Sequence, residues 1–383
     1  MVAMGGRRLG ARELATMIDR WSLGDLVARP LEWLDPLKTQ FAPVEPAVRY
    51  VARRVRGATR RPVAGALKVM TWNIKFGGGR IDFWYDAHGD RVLMYQWEVL
   101  ANLEGLAAKI NLVDPDVLLV QEIDVGSRRV AGIDQVQWLL DHTKLNFGAY
   151  ASQWRADRVP TRGLGRIDSG IATLSRYPVT DGIRIALDPI GDQDRLTRYF
   201  YLKRSLLTAR VEVPAAGPVH LVNTHTAAFS RDGTKRRHLR ALADELDRLD
   251  GAGALVVGGG DLNALPPGSP QLSGFTDAIS TDENYQGSDY RGESDWLMPL
   301  YERYQPAVPL EIFQRDGEAH FTHSTTEKVF WNRKLDYLFT NGRFLPQSTT
   351  THQDERSGGM ATMPLSDHAP VSTSLALGHG EDD

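Results

Sequence analysis

Eight polar residues of types common in hydrolytic sites stand at or just after the ends of apolar segments in this 383-residue chain. They are Asn73, Glu122, His225, Asp261, Asn263, Asp336, Asp367 and His368. One carboxylate in such a position is usually a cap or a solvated loop residue. Strand ends that converge on one edge of a sheet, however, form the usual ligand crevice of α/β proteins. We therefore predict that the eight side chains share one site.

Three of these residues suit a divalent cation. Glu122 and Asp367 supply hard carboxylate oxygens, and Asn73 supplies a neutral oxygen. Mg²⁺ and Mn²⁺ prefer such ligands, keep several waters and bind substrate phosphate. We therefore predict Mg²⁺, or Mn²⁺ in its place, as the cofactor, with these three residues as its ligands.

The other five residues fit the attack of water on phosphorus. His225 and His368 can donate hydrogen bonds to phosphoryl oxygens as negative charge builds on them. Asp261, with Asn263 nearby, can orient and deprotonate the attacking water. Asp336 can bond the far nitrogen of His368 and favour its protonated form. The chemistry predicted is therefore phosphoryl transfer without a covalent nucleophile.

The segments that must position these residues alternate between strand and helix. From residue 67 onward, short β-rich runs alternate with amphipathic segments, which predicts a layered α/β protein. The predicted strands cover residues 67–73, 117–121, 170–175, 204–213, 219–223, 254–257, 335–340 and 369–377, and the predicted helices cover 98–112, 136–142 and 235–249. The short connection between residues 213 and 219 favours antiparallel pairing, so the sheet is predicted to be mixed.

The composition limits the classes of protein to which the chain can belong. Hydrophobic residues make up 42% and charged residues 24%, as in ordinary globular proteins. Cys is absent, which excludes disulfides, zinc–thiolate sites, iron–sulfur clusters and cysteine nucleophiles. The lack of Cys fits a reducing compartment, and the sequence has neither an apolar run of spanning length nor a signal-like segment. We expect a cytoplasmic protein.

Positive charge is concentrated at the N-terminal end. The formal net charge is −3, but residues 1–68 carry 13 Lys/Arg against 6 Asp/Glu. Apolar residues at helical spacing over 11–40, and a further segment at 48–55, predict helices there. The predicted organisation is a helical basic N-terminal extension (1–66), a catalytic domain (67–378) and an acidic tail (379–383). The extension either contacts an anionic membrane or nucleic acid peripherally, or is a solvated helix face and linker.

The order of the motifs around the eight residues resembles the endonuclease/exonuclease/phosphatase superfamily. The motifs are TWN at Asn73, QE at Glu122, NTH at His225, GDLNA at Asp261, LDYLF at Asp336 and SDHAPV at Asp367, with GIATLSRYP over residues 170–178. The resemblance covers residues 67–377 and implies the DNase I-like four-layer α/β sandwich with two mixed β-sheets. It also implies that Glu122 is the main metal ligand, that Asn73 supports the metal or the phosphate, and that Asp367 lies near the metal.

The roles that the resemblance implies for the other residues agree with those argued from their chemistry. Asp261 would handle the water, and Asn263 would help to place the water and the phosphate. Asp336 and His368 would form an acid–imidazole pair. His225 would contact the scissile phosphate.

His225 helps to separate the branches of the superfamily. AP endonuclease-like members usually carry a Tyr/Asn-based segment at this point, whereas sphingomyelinase-, inositol phosphatase- and DNase I-like members carry His. Ser169 stands where many relatives have Asn, so the phosphate contact of that position is not carried over.

The net charge of −10 outside residues 1–68 favours a lipid head group or small phosphoester over a DNA duplex as the substrate. A local basic patch can still bind one or two phosphates, or be only an exposed strand entry; its members are Arg195, Arg198, Lys203 and Arg204.

Three functions therefore stay open. The favoured one is a Mg²⁺-dependent phosphodiesterase or phosphatase, a hydrolase of phosphoester bonds in a lipid head group or small molecule. The alternatives are a DNase I-like endonuclease acting on DNA or RNA, and a non-catalytic binding module. An aromatic insertion over residues 83–97 either packs under a loop or meets a substrate or membrane interface. No obligate protein partner is inferred.

Overall fold

Two seven-stranded β-sheets form the frame of the protein in the computed structural model. The structure describes residues 3–4, 7–8, 41–58, 62, 65–84, 89–159, 161–191, 201–228, 232–277, 289–293, 295–355 and 359–378. In these residues the strands are β1 Ala3–Met4, β2 Arg7–Arg8, β3 Val44–Pro46, β4 Val48–Val51, β5 Ala66–Asn73, β6 Val117–Asp124, β7 Phe147–Val159, β8 Gly165–Ser175, β9 Val179–Ala186, β10 Ser205–Val213, β11 Gly217–His225, β12 Val256–Asp261, β13 Gln305–Pro306, β14 Asp336–Thr340, β15 Thr350–Thr351 and β16 Val371–Ala376. The α-helices are α1 Gln96–Val113, α2 Gln135–His142, α3 Thr234–Gly251, α4 Met298–Arg303 and α5 Leu310–Arg315.

Both sheets are mixed, as predicted. One has the order β13-β14-β12-β11-β10-β9-β3 and the other the order β15-β16-β5-β6-β8-β7-β4, while β1 and β2 pair only with each other. β5 is parallel to β6 and β11 is parallel to β12, and the remaining neighbours in the two sheets are antiparallel. A parallel pair needs a long crossover. Helix α1 provides it for the first pair and α3 for the second.

Three apolar cores separate four layers, which confirms the predicted sandwich. The central core lies between the sheets and contains Leu119 of one and Leu221 of the other. An outer core packs α1 and α2 on β5 and β6 through residues such as Leu103, and the opposite core packs α3 on β11 and β12 through residues such as Leu246. Successive residues of β6 enter different cores: Leu118 belongs to an outer core and Leu119 to the central one. A strand that is apolar on both faces is expected where both faces are covered.

The predicted elements from residue 67 onward are confirmed, with ends that differ by a few residues. The antiparallel pairing of β10 with β11 is also confirmed, with Leu207 opposite Asn223. The sequence did not predict β7 or β9, since polar residues such as Gln153, Arg155 and Asp181 interrupt their apolar pattern. In the described residues no helix combines the length and apolarity needed to cross a membrane.

The short helix predicted over residues 48–55 is wrong. Val48–Val51 is strand β4, which pairs with β7 at the edge of one sheet, and Val44–Pro46 is strand β3, which pairs with β9 at the edge of the other. The β-branched valines favour strand, and pairing with an open sheet edge decides the conformation. The helical pattern at 11–40 and the acidic tail at 379–383 lie outside the described residues.

The start of α3 yields a prediction about stability and pH. Asp232 accepts hydrogen bonds from the backbone N–H of Gly191 (2.7 Å) and of Thr234 (3.0 Å). Burial opposes ionisation, but a hydrogen bond from the Thr234 hydroxyl, together with these two backbone bonds, outweighs it and lowers the pKa of Asp232 from 3.8 to about 2. The carboxylate therefore stabilises the fold above pH 4, and this contribution disappears as the pH falls towards 2.

We expect Asp232→Ala to lower the free energy of unfolding by about 1 kcal/mol at neutral pH. Urea unfolding at neutral pH and at stepwise lower pH measures this difference. It should shrink as the carboxylate of the parent protein becomes protonated. Asp244→Ala, on the exposed face of the same helix, is the control. A difference that stays constant with pH would contradict the role given to the charge.

Candidate active site

The predicted site residues meet where the two sheets end together. β5 and β6 run parallel and bring Asn73 and Glu122 to one edge of their sheet. β11 and β12 run parallel and place His225 directly beside Asp261. β14 runs the opposite way, so that Asp336 at its start pairs with Asp261. The two parallel pairs and the antiparallel β14 therefore bring the last residues of β5, β6, β11 and β12 and the first residue of β14 to one edge of the sandwich.

A buried pair of amide side chains holds the two sheets in register at this edge. Gln121 Nε2 donates to Asn223 Oδ1 across the sandwich at 2.7 Å. Asn223 Nδ2 in turn donates to the carbonyl oxygens of Val120 (3.0 Å) and Ala172 (2.9 Å). Both side chains are fully buried, so breaking the pair would leave polar groups without water. Glu122 follows one member of the pair directly, and His225 follows the other by two residues.

Glu122 leaves the regular strand at a β-bulge. The pairing of β6 with β8 shifts between Gln121 and Ile123, and Glu122 has a φ of 52°. A bulge places an extra residue in one strand and re-aims its side chain. The side chain of Glu122 is 33% exposed, in contrast to the buried side chains around it. Its carboxylate is thus presented at the mouth of the site.

Asn73 links the carboxylates of the two sheets. Its Nδ2 donates to Glu122 Oε1 at 3.2 Å and to Asp261 Oδ2 at 3.0 Å. Its Oδ1 accepts from the backbone N–H of Lys75 at 3.0 Å. In this orientation the amide nitrogen faces the carboxylates. Ligation of a metal by the oxygen of Asn73 would require the amide to turn over.

Asp261 is surrounded by hydrogen-bond donors. His225 Nε2 lies 3.2 Å from its Oδ2, and the backbone N–H of Asn263 donates to its Oδ1 at 3.0 Å. Burial, together with the negative charge of Asp336, raises the pKa of Asp261 although His368 opposes the shift. Burial, followed by the positive charge of Arg204, holds the pKa of His225 well below its ordinary value. Asp261 therefore faces a neutral imidazole and is a stronger base than an ordinary aspartate.

Asp336 and His368 lie within hydrogen-bond distance of each other, as predicted for an acid–imidazole pair. His368 Nδ1 lies 2.8 Å from Asp336 Oδ2, and its Nε2 lies 3.6 Å from Asp261 Oδ2. Burial alone would lower the pKa of His368, but the charges of Asp336 and Asp261 outweigh it and raise the pKa to about 10. The backbone carbonyl of His368 accepts from Trp72 Nε1 at 2.8 Å. The site therefore contains an imidazolium at neutral pH, held on two sides.

Asp367 faces another part of the site. Its Oδ2 is 3.9 Å from Lys75 Nζ, and its Oδ1 lies 3.3 Å from the hydroxyl of Ser366. Burial would raise the pKa of Asp367, but the positive charge of Lys75, joined by that of His368, lowers it. Asp367 is thus an anion that contacts Lys75, whereas the other two predicted ligands, Asn73 and Glu122, contact each other.

Two groups of side chains can hold a cation: one is Asp261 with Asp336 and His368, and the other is centred on Glu122. Asp261, Asp336 and His368 present ligand atoms within 4.8 Å of one another. Asp336 Oδ1 is buried and has no hydrogen-bond partner among the described residues, so a positive charge there would satisfy it. A metal on the ring of His368 would, however, have to displace a proton. The carboxylate of Glu122 needs no such exchange, and it fits a hard cation better.

The structure also brings forward residues whose roles the sequence did not show. His323 Nδ1 lies 3.0 Å from His368 Nε2, and no motif surrounds His323 in the sequence. Arg204, which the sequence placed only in a basic patch, is half-buried. Burial lowers the pKa of Arg204, and the negative charges of Glu122 and Asp261 oppose this shift. Arg195 and Arg198 of that patch lie outside the described residues. Ser169 Oγ accepts from Arg129 at 3.1 Å.

Comparison with known proteins agrees with this fold. The model of the endonuclease/exonuclease/phosphatase family matches residues 70–368. The chain belongs to this family. A structure of an endonuclease/exonuclease/phosphatase from Beutenbergia cavernae is 21% identical, with a TM-score of 0.51 over 82% of this chain and 72% of that one. A comparison with curated proteins finds no significant match.

Two further solved structures are similar to the chain. TDP2 from C. elegans is 18% identical, with a TM-score of 0.46 over 81% of this chain and 75% of that one. The human Nocturnin catalytic domain with bound sulfate is 16% identical, with a TM-score of 0.48 over 86% of this chain and 97% of that one. The family match supports a hydrolase of phosphoester bonds and a divalent metal as cofactor.

Close strand packing below Asp261 makes the preceding glycines essential. A Cβ on Gly260 would lie 2.0 Å from the carbonyl oxygen of Thr224, and its φ of 128° is strained for other residues. We expect Gly260→Ala to lower the free energy of unfolding by about 3 kcal/mol or more, measured by urea unfolding. Gly251→Ala is the control, since nothing lies within 4 Å of a Cβ there. Equal effects of the two substitutions would contradict this constraint.

Proposed function

We propose that the protein is a divalent-cation-dependent phosphodiesterase that hydrolyses its substrate by direct attack of water. The observation that carries the proposal is the pairing of a base with an imidazolium in one buried site. Asp261 has a raised pKa, and its Oδ2 lies 3.6 Å from Nε2 of His368. The carboxylate can remove a proton from the attacking water, and the adjacent cationic donor can stabilise the negative charge that builds on the phosphoryl oxygens.

We assign the cation to Glu122 and Asn73, with Asp367 contributing negative charge nearby. When bound, Mg²⁺ or Mn²⁺ would act as a Lewis acid on a phosphoryl oxygen. The partly exposed carboxylate of Glu122, a hard oxygen ligand at the mouth of the site, supports this assignment. In the structure the Nδ2 of Asn73 contacts both Glu122 and Asp261, and ligation of the cation by the amide oxygen would follow the turn of the amide described above.

The protein's own residues supply the remaining steps. Asp261 accepts a proton from the attacking water, and the backbone N–H of Asn263 holds the carboxylate in place. The imidazolium of His368 donates to a phosphoryl oxygen as its negative charge increases, while Asp336 keeps the ring oriented. The neutral ring of His225 donates to the scissile phosphate once that group displaces its contact with Asp261. Asp261 and His368 are held for these roles by hydrogen bonds already formed in the structure.

The distribution of charge bears on which class of phosphoester is the substrate. The negative balance of charge over the domain favours a lipid head group or small phosphoester, as argued from the sequence. One observation favours an endonuclease: exposed arginines gather on the elements that follow Glu122, including Arg128, Arg162 and Arg166. A non-catalytic binding module would keep the fold and the cation site but release no product.

Removal of the metal tests the cofactor. We expect EDTA to reduce hydrolysis of bis(p-nitrophenyl) phosphate to the background rate, and added Mg²⁺ or Mn²⁺ to restore it. Glu122→Gln keeps the size of the side chain but removes its charge. It should raise the Mg²⁺ concentration for half-maximal activity by about tenfold or more. Activity that survives EDTA would rule out the metal-dependent mechanism.

Substitution of the base tests the catalytic assignment. We expect Asp261→Asn to lower kcat/KM for the same diester by about 10²- to 10⁴-fold, because the amide cannot accept the proton of the water. The exposed variant Asp244→Asn is the matched control and should keep full activity. Thermal unfolding of both variants shows whether the fold is intact. A fully active Asp261→Asn protein would disprove the role of this residue.

A further inference from the structure

A β-hairpin projects beyond the sheet next to Glu122. Pairing of β6 with β8 ends at Asp124 and Ser169, but pairing of β7 with β8 continues to Val159 and Gly165. Four further residues of β8 correspond to about 13 Å of extended strand. The projecting part therefore forms one wall beside the mouth of the site.

This wall carries a concentration of exposed arginines, which we call the arginine arm. It consists of residues 155–159 and 161–168 together with Arg128 of the neighbouring loop. Its exposed arginines are Arg128, Arg155, Arg158, Arg162 and Arg166. The arm contains only two acidic residues: Asp157 is exposed, and Asp168 is buried and paired with Arg155 at 3.2 Å. Its charge is therefore opposite to that of the domain as a whole.

Contacts within the arm and with the loops beside it hold three of the guanidinium groups in place. Arg128 donates to the carbonyl of Gly163 at 3.0 Å, and Arg166 donates to the carbonyl of Gly126 at 3.3 Å. Arg162 lies over the ring of Trp84, 5.1 Å from its centroid, and its Nη1 is 3.7 Å from Asp90 Oδ1. A guanidinium has five N–H donors, so one or two such contacts leave others for a ligand. Positioned arginines of this kind suit phosphate oxygens.

Two exposed aromatic rings lie next to the arm. Tyr95 and Trp97 are 66% and 68% exposed, and their rings are parallel within 9° at a centroid distance of 6.5 Å. The backbone N–H of Met94 donates to the carbonyl of Arg129 at 2.9 Å, which ties this segment to the loop that carries Arg128. The aromatic insertion is therefore divided: Phe83, Trp84 and Met94 are buried, whereas these two rings face solvent.

The arm is connected to the catalytic site through a rigid contact. Buried Arg129 binds both carboxylate oxygens of Asp124, at 2.7 and 2.8 Å, and its guanidinium lies 3.8 Å from the ring centroid of Phe76. Asp124 is in the same strand as Glu122, two residues further on. A ligand on the arm is thus held at a fixed position relative to the proposed cation site.

The composition of the surface favours nucleic acid over a membrane. Binding to a bilayer needs an extended apolar face, but Val159 and Leu164 of the arm are each only 1% exposed, so among the described residues the exposed apolar surface there is limited to Tyr95 and Trp97. Single-stranded nucleic acid is bound by positive charge along the backbone and by rings on which bases stack. The arm supplies the first feature, and Tyr95 with Trp97 supplies the second.

We propose that the arginine arm and the Tyr95–Trp97 pair bind single-stranded nucleic acid and direct its backbone towards Glu122. This inference rests on the proposed phosphodiesterase function and names the substrate class of that site. The phosphates contact Arg162 and Arg166, and the bases stack on the exposed rings.

Fluorescence anisotropy of a labelled oligothymidylate tests the proposal, with the full chain and with EDTA present to prevent cleavage. We expect the double variant Arg162→Ala, Arg166→Ala to bind about tenfold more weakly. The slope of log K against log salt concentration should fall by about 1.4, since each lost phosphate contact contributes about 0.7. Trp97→Ala should also weaken binding about tenfold but leave the slope unchanged. Arg343→Ala, an exposed arginine at the opposite end of the sheets, should bind as the parent does.

Two results would overturn the inference. One is oligonucleotide binding that is absent or unaffected by the arm variants. The other is binding to phosphatidylserine vesicles that the same variants abolish while oligonucleotide binding persists, because the surface would then be a lipid contact. Hydrolysis of bis(p-nitrophenyl) phosphate separates the two proposals, since the double variant should retain it. Failure of the parent protein to hydrolyse that diester would count against the proposed function and leave the binding result unchanged.

Discussion

The hydrogen bond between Gln121 and Asn223 is the contact on which the site depends. Most of the contact between the two sheets is apolar packing, which resists sliding only weakly because dispersion contacts have no preferred partner. A buried amide pair has one register in which every donor and acceptor is satisfied. Since Glu122 and His225 follow the two amides closely, the register of the sheets is also the register of the proposed cation site and the phosphate contact.

Charge is arranged in the site so that no buried anion stands without a nearby positive group. Asp336 pairs with His368, and Asp367 lies next to Lys75. Separating a buried ion from its partner is far more costly than removing both. Asp336 Oδ1, which has no hydrogen-bond partner among the described residues, is a point where this balance is incomplete. It belongs to the residue that orients His368, the proposed donor to the substrate phosphate, and an incompletely balanced buried charge is expected at a functional site.

The sequence was sufficient to predict the central strands and the residues at their ends. Strands such as β5 and β6 have apolar residues on both faces and become polar where the site begins, at Asn73 in β5 and at Gln121 and Glu122 in β6. Their position and their chemistry can therefore be predicted from the pattern. β7 and β9 are edge-proximal and partly solvated, which removes that signal. His323 could not be identified, because its position beside His368 depends on a bridge between distant segments. The contact of Asp367 with Lys75 likewise depends on the left-handed turn at Lys75, which has a φ of 46°.

The strand pair at residues 44–51 has a consequence for the solution behaviour of the protein. β3 and β4 each cover one open edge of the sandwich, and Ala47 between them donates its N–H to the carbonyl of Gly182. Unpaired sheet edges recruit strands from other molecules. A chain shortened to residue 67 would expose the edge of β7 at Phe147–Tyr150 and the edge of β9 at Ile183–Ile185. Self-association through these edges would then compete with correct folding. Residues 44–51 thus protect the two sheet edges from pairing with other molecules, and a shortened version of the protein should begin upstream of them.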